Sequence, residues 1–181
     1  MSKRHYSPRQ LLRVCQELLA AFSPANEASP FDDVLKLLYG HRKYFWIGIY
    51  FVLGDKVVRQ AMQGPMPPCH VFEFGKGNVG TTGQSGLVKV IPDVTADATY
   101  SMCFLEVKSE IVVPIRIGGR TLGVIDVESD CPNNFGSLDR MLLEGVAAML
   151  ARFLTSRGKV LVRHARERQD ALPKARHATA C

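Results

Sequence analysis

The chain has 181 residues, of which 46 % are hydrophobic and 22 % charged, so its composition is that of one ordinary globular domain. No apolar run approaches the roughly 18 to 20 residues of a membrane helix, and the N-terminus lacks the features of a signal peptide, so we expect a cytoplasmic protein without a membrane partner. The net charge is +6, but residues 157–181 hold seven basic and two acidic side chains. This distribution predicts a domain over residues 1–156 and a basic C-terminal tail, as frayed helix or disorder. A positive charge confined to a tail argues against a nucleic-acid-binding protein.

Two helices are predicted before the first strand. Ser7-Pro8 begins the first helix, with Gln10 in position to complete a capping box, and apolar residues follow at helical spacing. Ser29-Pro30 repeats this start signal, and Gly40 can end the second helix. Both helices are amphipathic, so each is expected to pack one face on a core.

Three strands and a glycine-rich segment are predicted next. Tyr44 to Leu53 is rich in aromatic and β-branched residues, Gly54-Asp55 is typical of a tight turn, and Lys56 to Met62 is its partner strand. Cys69 to Phe74 is a short third strand. Gly75 to Gly80 is then expected to form a loop that leads into a short helix.

The rest of the chain predicts one more hairpin and a long helix. Val88 to Ile91 is a short strand, residues 92–104 are irregular, and Ile111 to Ile117 pairs with Thr121 to Glu128. Ser137 can cap a last amphipathic helix. Consecutive hairpins predict an α+β fold with a mainly antiparallel central sheet and the N- and C-terminal helices on one face.

Two carboxylates stand out in the last predicted strand. Asp126 and Glu128 are two residues apart, so they share one face of an otherwise apolar strand. The face is either solvated or a site for a positively charged group, such as an ammonium group, because adjacent carboxylates repel each other unless a cation lies between them.

Whether Glu110 joins these acids depends on the register of the hairpin. A two-residue turn at Gly118-Gly119 alone would place Glu110 on the opposite face. A three-residue loop that includes Arg120, or a bulge near Pro114, would pair Glu110 with Glu128 and gather all three acids. We predict the gathered arrangement.

Other candidate residues each allow two interpretations. Gly75 to Gly80 matches neither standard nucleotide-binding fingerprint, so it is either a plain turn or a source of backbone N–H groups for an anion. Cys103 lies in a predicted loop, where a cysteine is more often inert than nucleophilic. Trp46 and Tyr50 share a strand face as core or as a ligand wall. The number of cysteines is odd and no two of them form a CxxC pair, which argues against a disulfide scaffold and a metal site. The five cysteines are Cys15, Cys69, Cys103, Cys131 and Cys181.

Over about residues 8–155 the chain resembles the free methionine-(R)-sulfoxide reductases, which are single GAF domains. The resemblance rests on segments that follow one another at the spacing of that family: Phe45-Trp-Ile-Gly-Ile-Tyr50, Cys69, Gly75-Lys-Gly-Asn-Val-Gly80, Ile91-Pro-Asp-Val94, Cys103, Ser109-Glu-Ile-Val-Val-Pro114 and Leu122-Gly-Val-Ile-Asp-Val-Glu-Ser129. It implies a GAF fold, reduction of free L-methionine-(R)-sulfoxide, and homodimers.

The resemblance also implies a cysteine-based reaction without a bound cofactor. The cysteine that matches the family's nucleophile is Cys103, whose thiolate would attack the sulfoxide sulfur, release methionine and become a sulfenic acid. Cys69 matches a second cysteine that resolves this acid as a disulfide, and thioredoxin or another thiol reductant then serves as the electron donor.

The family's ligand-binding residues match the acids and aromatic side chains noted above. Glu110, Asp126 and Glu128 correspond to its binding acids, and Trp46 and Tyr50 to its aromatic wall. Clustered carboxyl groups raise one another's pKa, so one of them, for which Glu110 is a candidate, can keep the proton that the sulfoxide oxygen needs.

The chain departs from the family around the reaction centre. A third cysteine common in the glycine segment is replaced here by Val79, the bulky pair Phe104-Leu105 follows Cys103, and Tyr100 begins the segment before it. An alternative hypothesis is therefore a non-catalytic GAF domain that binds or senses a small amino-acid-like ligand. A third is a structural GAF dimer.

Overall fold

The structure is a computed structural model that describes residues 6–22 and 29–171, with residues 158–171 described by their backbone alone. Its secondary structure consists of α1 (Pro8–Ala21), α2 (Pro30–His41), β1 (Trp46–Leu53), β2 (Lys56–Gln63), β3 (Val71–Glu73), α3 (Gly77–Ser85), β4 (Lys89–Ile91), a short 3-10 turn (Val94–Ala96), β5 (Ser109–Ile117), β6 (Arg120–Ser129) and α4 (Ser137–Ala171). None of the helices within the described residues combines the length and apolar character needed to cross a membrane.

The strands form one antiparallel sheet of six, in the order β3-β2-β1-β6-β5-β4. Helices α1, α2 and α4 pack on one face of this sheet, and α3 packs on the other. The predicted α+β fold, with its mainly antiparallel sheet and its terminal helices on one face, is therefore confirmed.

The helix starts follow from local capping chemistry. The side chain of Ser7 accepts a hydrogen bond from the backbone N–H of Gln10, the Gln10 side chain accepts one from the Ser7 backbone, and Pro8 occupies the first turn. Ser29 caps α2 in a similar way, through the backbone N–H of Phe31. Helix α2 ends at His41, one residue past the glycine that the sequence marked as its end.

The main core lies between the sheet and the three helices on one face. It contains alternate residues of the central strands, such as Ile47 and Ile49 of β1 and Ile125 of β6, packed against helix residues that include Leu35 and Leu142. Cys15 is completely buried in this core, as its place on the apolar face of the first helix predicts. The opposite sheet face carries the remaining alternate residues, and it holds the site described below.

The predicted third strand and glycine loop differ in length from what is observed. Strand β3 covers Val71–Glu73 only, because the chain before it turns through the proline-rich loop. Helix α3 begins inside the glycine-rich segment, at Gly77, whose φ of +62° strongly favours glycine. The side chain of Ser101 also approaches Gly77, so a Cβ atom there would lie 2.9 Å from the Ser101 hydroxyl.

The division of the chain at residue 157 stays a prediction. Helix α4 runs without a break from Ser137 to Ala171, so residues 157–171 of the predicted basic tail are helical. The remaining part of that tail, residues 172–181 with Cys181, lies outside the described residues.

Candidate active site

A pocket lies on the sheet face opposite α1, α2 and α4. Its floor comes from β1, β5 and β6, and its cover comes from the first turn of α3 and the segment that precedes β5. It is lined by Trp46, Tyr50, Pro67, Phe72, Asn78, Val79, Ser101, Cys103, Phe104, Glu110, Asp126 and Glu128. Every residue that the sequence singled out as a site candidate lines this pocket, except Cys69, which packs in the apolar cluster beside it.

The hairpin register gathers the three acids. Ile117 pairs with Arg120 across the two-residue turn Gly118-Gly119, and a bulge between Ile115 and Arg116 then shifts the pairing by one residue, so that Glu110 faces Glu128. The irregularity lies close to Pro114, as one of the two sequence alternatives required. The gathered arrangement is thus confirmed, through a bulge rather than a longer turn.

The three carboxyl groups are buried and close together. The exposed fractions of Glu110, Asp126 and Glu128 are 3 %, 4 % and 5 %, and one carboxylate oxygen of each lies within 4.8 Å of the others. The solvated-face interpretation of Asp126 and Glu128 is therefore wrong. At this separation a single positively charged group can contact all three side chains.

Burial and mutual repulsion keep protons on this cluster. Burial is the main cause that raises the pKa of Glu110 to about 7 and, with the charge of Glu110, raises the pKa of Glu128 to about 8. The pKa of Asp126 lies well above its usual value because it is buried and flanked by both other acids. The carboxyl groups of Asp126 and Glu110 also hydrogen-bond to each other. The pocket therefore holds ionisable protons at neutral pH.

Several polar atoms of the pocket have unused hydrogen-bonding capacity. Asp126 Oδ1, Glu128 Oε2 and Trp46 Nε1 are buried and have no hydrogen-bond partner among the residues that the structure describes. An unsatisfied buried polar atom costs about 1–3 kcal/mol, so these atoms favour a ligand that brings both donors and an acceptor.

Aromatic rings form the apolar side of the pocket. The ring centroids of Trp46 and Tyr50 are 6.2 Å apart, and the rings of Tyr50 and Phe72 meet edge to face at 5.7 Å. The indole of Trp46 lies over Gly48, where a Cβ atom would approach the ring to 2.2 Å. Trp46 and Tyr50 are thus buried core residues that also form a wall of the pocket, so both interpretations of their shared strand face apply.

Cys103 is a partly buried free thiol at the edge of the acid cluster. Burial raises its pKa to about 12, and the charges of Glu128 and Asp126 add to this effect. The backbone of Cys69 hydrogen-bonds to the Cys103 sulfur, which places the two cysteines next to each other. A thiol in these surroundings stays protonated at neutral pH.

Among the candidates taken from the sequence, one buried polar residue of the pocket is missing. Asn78 is 2 % exposed, and its side-chain Nδ2 donates to Glu110 Oε2 at 2.7 Å. The residue lies in the glycine-rich segment, where the sequence pattern points only to the backbone N–H groups. An asparagine among glycines at the start of a helix was the available signal. The anion-binding role of that backbone stays a prediction.

Comparisons with known proteins agree with this geometry. The family model for the GAF domain matches residues 9–154. GAF domain-containing protein A of Dictyostelium discoideum is 32 % identical over 126 residues, covering 69 % of this chain and 79 % of that protein. The free methionine-R-sulfoxide reductase of Saccharomyces cerevisiae is 34 % identical over 109 residues, covering 58 % of this chain and 60 % of that protein.

A solved structure extends the likeness over most of the chain. The free methionine-R-sulfoxide reductase of Neisseria meningitidis, solved in complex with its substrate, superposes with a TM-score of 0.78 at 26 % identity, covering 88 % of this chain and 95 % of that one. The GAF model matches most of the chain, and the chain therefore belongs to the GAF domain family.

Proposed function

We propose that this GAF domain reduces free L-methionine-(R)-sulfoxide to methionine, with Cys103 as the nucleophile. The observation that carries the proposal is one pocket that combines a free thiol, three buried carboxyl groups and an aromatic wall. The similar proteins from yeast and Neisseria, which are named for this activity, support it.

The pocket matches the groups of the substrate one by one. The ammonium group of a free amino acid brings three N–H donors, and Asp126 Oδ1 and Glu128 Oε2 are buried acceptors in need of donors. The S-methyl group suits the rings of Trp46 and Tyr50, because sulfur and methyl groups pack well on aromatic faces. A methionine sulfoxide residue inside a protein has an amide nitrogen instead of an ammonium group, so the acid cluster favours the free amino acid.

The chemistry requires one proton transfer and one oxygen transfer. The Cys103 sulfur attacks the sulfoxide sulfur, the sulfoxide oxygen receives a proton, and methionine leaves as the thioether while Cys103 becomes a sulfenic acid. The sulfoxide is reduced and the cysteine sulfur is oxidised, so the electrons balance. The acid cluster is the proton source that we propose, because burial keeps protons on it at neutral pH.

Substrate binding also prepares the nucleophile. The charges of Glu128 and Asp126 help to raise the pKa of Cys103, and an ammonium group between these acids would offset that negative charge. The thiol then loses its proton more easily when the substrate is bound than in the empty pocket. This coupling would protect the cysteine from adventitious oxidation between turnovers.

We propose Cys69 as the resolving residue of the fully reduced enzyme. Its thiol would attack the Cys103 sulfenic acid, release water and form a disulfide, which thioredoxin or another thiol reductant would reduce by exchange. The hydrogen bond between the Cys69 backbone and the Cys103 sulfur supports this pairing. We propose that the enzyme is cytoplasmic, because this chemistry needs a supply of reduced thiols. We propose a homodimer from the resemblance to the reductase family.

A second candidate function is a binding module for a free amino acid. The high pKa of Cys103, about 12, favours this candidate, because a protonated thiol is a poor nucleophile. Val79 lines the pocket at the position where the family often has its third cysteine, so it cannot assist resolution.

Turnover of the two sulfoxide epimers distinguishes these functions. The reduced protein is incubated with dithiothreitol and free L-methionine-(R)-sulfoxide or the S epimer, and methionine is quantified. We expect methionine from the R epimer only, no product with Cys103→Ser, and full activity with Cys131→Ser, which removes an exposed free thiol as a matched control. If neither epimer yields methionine but the sulfoxide raises the melting temperature, the binding module is the correct function.

A further inference from the structure

A hydrogen-bonded network begins at one acid of the pocket and extends away from it. Asn78, at the start of α3, connects Glu110 on β5 to Lys89 on β4 and to Thr99, four positions before the cysteine of the pocket. Thr99 Oγ1 also lies 2.7 Å from Asp97 Oδ1, and it accepts a hydrogen bond from Lys89 Nζ at 2.8 Å. The network therefore joins α3, β4 and the segment that precedes β5 to Glu110.

The network determines which way the Asn78 amide points. Its Oδ1 atom accepts a hydrogen bond from Lys89 Nζ and lies 2.8 Å from Thr99 Oγ1, whose single hydroxyl proton it shares with Asp97 Oδ1. The lysine ammonium group can only donate, so the amide oxygen must face it and the amide nitrogen must face Glu110. The group presented to Glu110 is thus an N–H donor, polarised by a nearby positive charge.

Glu110 is the acid of the cluster that receives this support. Its exposed fraction is 3 %, and its Oε2 atom accepts a hydrogen bond from Asn78 Nδ2 at 2.7 Å. Asp126 Oδ1 and Glu128 Oε2, in contrast, have no partner among the described residues. The other charged or titratable groups that face Glu110 are Asp126, Glu128, Lys89, Asp97, Tyr100 and Cys103.

We propose that Asn78 is a positioning residue of this pocket, held by Lys89 and Thr99 so that its amide keeps Glu110 as the ionised acid and leaves the shared proton on Asp126. The hydrogen bond between the Glu110 and Asp126 carboxyl groups fits this assignment, with Asp126 as donor. The catalytic meaning of the assignment rests on the proposed function. Glu110 would then supply the negative charge that attracts the substrate ammonium group, which also donates to Asp126 Oδ1 and Glu128 Oε2. The proton held by the other carboxyl oxygen of Asp126 would be the one that the sulfoxide oxygen receives.

The relative pKa values of Glu110 and Glu128 agree with this assignment of the protons. Burial raises the pKa of all three, but the Asn78 hydrogen bond works against this effect at Glu110, whose pKa of about 7 is lower than the value of about 8 for Glu128. A hydrogen bond to the charged form of an acid stabilises that form. Loss of the Asn78 donor is therefore expected to raise the titration midpoint of Glu110 by about one pH unit.

The test is a direct titration of Glu110 by NMR in full-length protein labelled with 13C at the glutamate side-chain carboxyl, with the resonance assigned by its loss in Glu110→Gln. We expect Asn78→Val, which cannot donate, to raise the midpoint by about one pH unit and Lys89→Met to raise it by less. Lys89→Arg, which keeps the cation, should restore the original midpoint. Lys76→Met, which removes an exposed lysine two residues before Asn78, is the matched control and should leave the midpoint unchanged.

Unchanged midpoints in both Asn78→Val and Lys89→Met would overturn the proposal, and so would an equal shift in Lys76→Met. This titration does not need turnover, so it stays decisive if the protein proves not to reduce the sulfoxide. With turnover, the acidic limb of the pH profile of kcat/KM should move with the midpoint, and kcat/KM near pH 7 should fall about fivefold in Asn78→Val. A loss of stability without movement of that limb would show a merely structural role.

Discussion

Glu128→Gln should remove part of the pH dependence of stability. The carboxyl group of Glu128 is 5 % exposed, and its Oε2 atom lacks a partner among the described residues. Glutamine has nearly the same shape and no charge. The variant should therefore keep the fold and lose the cost that comes with ionising this buried acid.

The structure provides the sign and the magnitude of this effect. Burial and the charge of Glu110 raise the pKa of Glu128 from 4.5 in a solvated chain to about 8. Between these values the folded state holds a proton that the unfolded state has lost, so stability falls as pH rises through this window. The slope is about 1.4 kcal/mol per pH unit, and the full effect is on the order of 5 kcal/mol above the folded pKa. That is a large share of the 5–15 kcal/mol typical of a domain.

Denaturant unfolding from about pH 5 to about pH 9 measures this slope. We expect the free energy of unfolding of the unmodified protein to fall steadily over this range and that of Glu128→Gln to fall less, so that the variant is the more stable protein at the alkaline end. Glu73→Gln, an exposed glutamate of β3, serves as control and should follow the unmodified protein. Parallel curves for the unmodified protein and Glu128→Gln would refute the burial argument.

Two further predictions concern the pocket and the sheet beneath it. At about pH 9, alkylation of Cys103 by iodoacetamide should be on the order of tenfold faster in Glu128→Gln, because ionised Glu128 is, after burial, the largest contribution to the raised pKa of that thiol. The exposed Cys131 is the internal reference in the mass spectrum. Equal alkylation rates of Cys103 in the two proteins would contradict the electrostatic account. Gly123→Ala should destabilise the protein by about 2 to 3 kcal/mol, because a Cβ atom would lie 2.2 Å from the backbone oxygen of Tyr50 on the neighbouring strand. An unchanged denaturant midpoint would show that β6 can move away from β1 at no cost.

Local features of this fold were predictable because their causes are local. The capping box at Ser7 and the cap at Ser29 depend on residues two or three positions away. The Gly54-Asp55 turn follows from the residue types of a tight hairpin, and Leu53 pairs with Lys56 across it. Strand and helix assignments hold for the same reason, whereas β3 is shorter than predicted because its end depends on the neighbouring loop.

The acid cluster was predictable only as an alternative. Asp126 and Glu128 share a face by strand periodicity alone, but Glu110 joins them through a bulge that the sequence marked only by Pro114 nearby. Nothing in the sequence pattern distinguishes a solvated face from a buried one at this strand. Coverage by α3 and by the segment around Phe104 buries the acids, and burial is what raises their pKa values.

The sequence by itself determined the order of helices and strands, the packing of the terminal helices on one sheet face, and the segments that identify a GAF domain. Short-range periodicity and residue type carry this information. Tertiary structure alone decided the register that gathers the acids, the contact between Cys69 and Cys103, and the orientation of Asn78 between Lys89 and Glu110. These features join residues that are far apart in the chain, and their energies come from burial and hydrogen bonding, which exist only after the sheet, α3 and the loops have packed together.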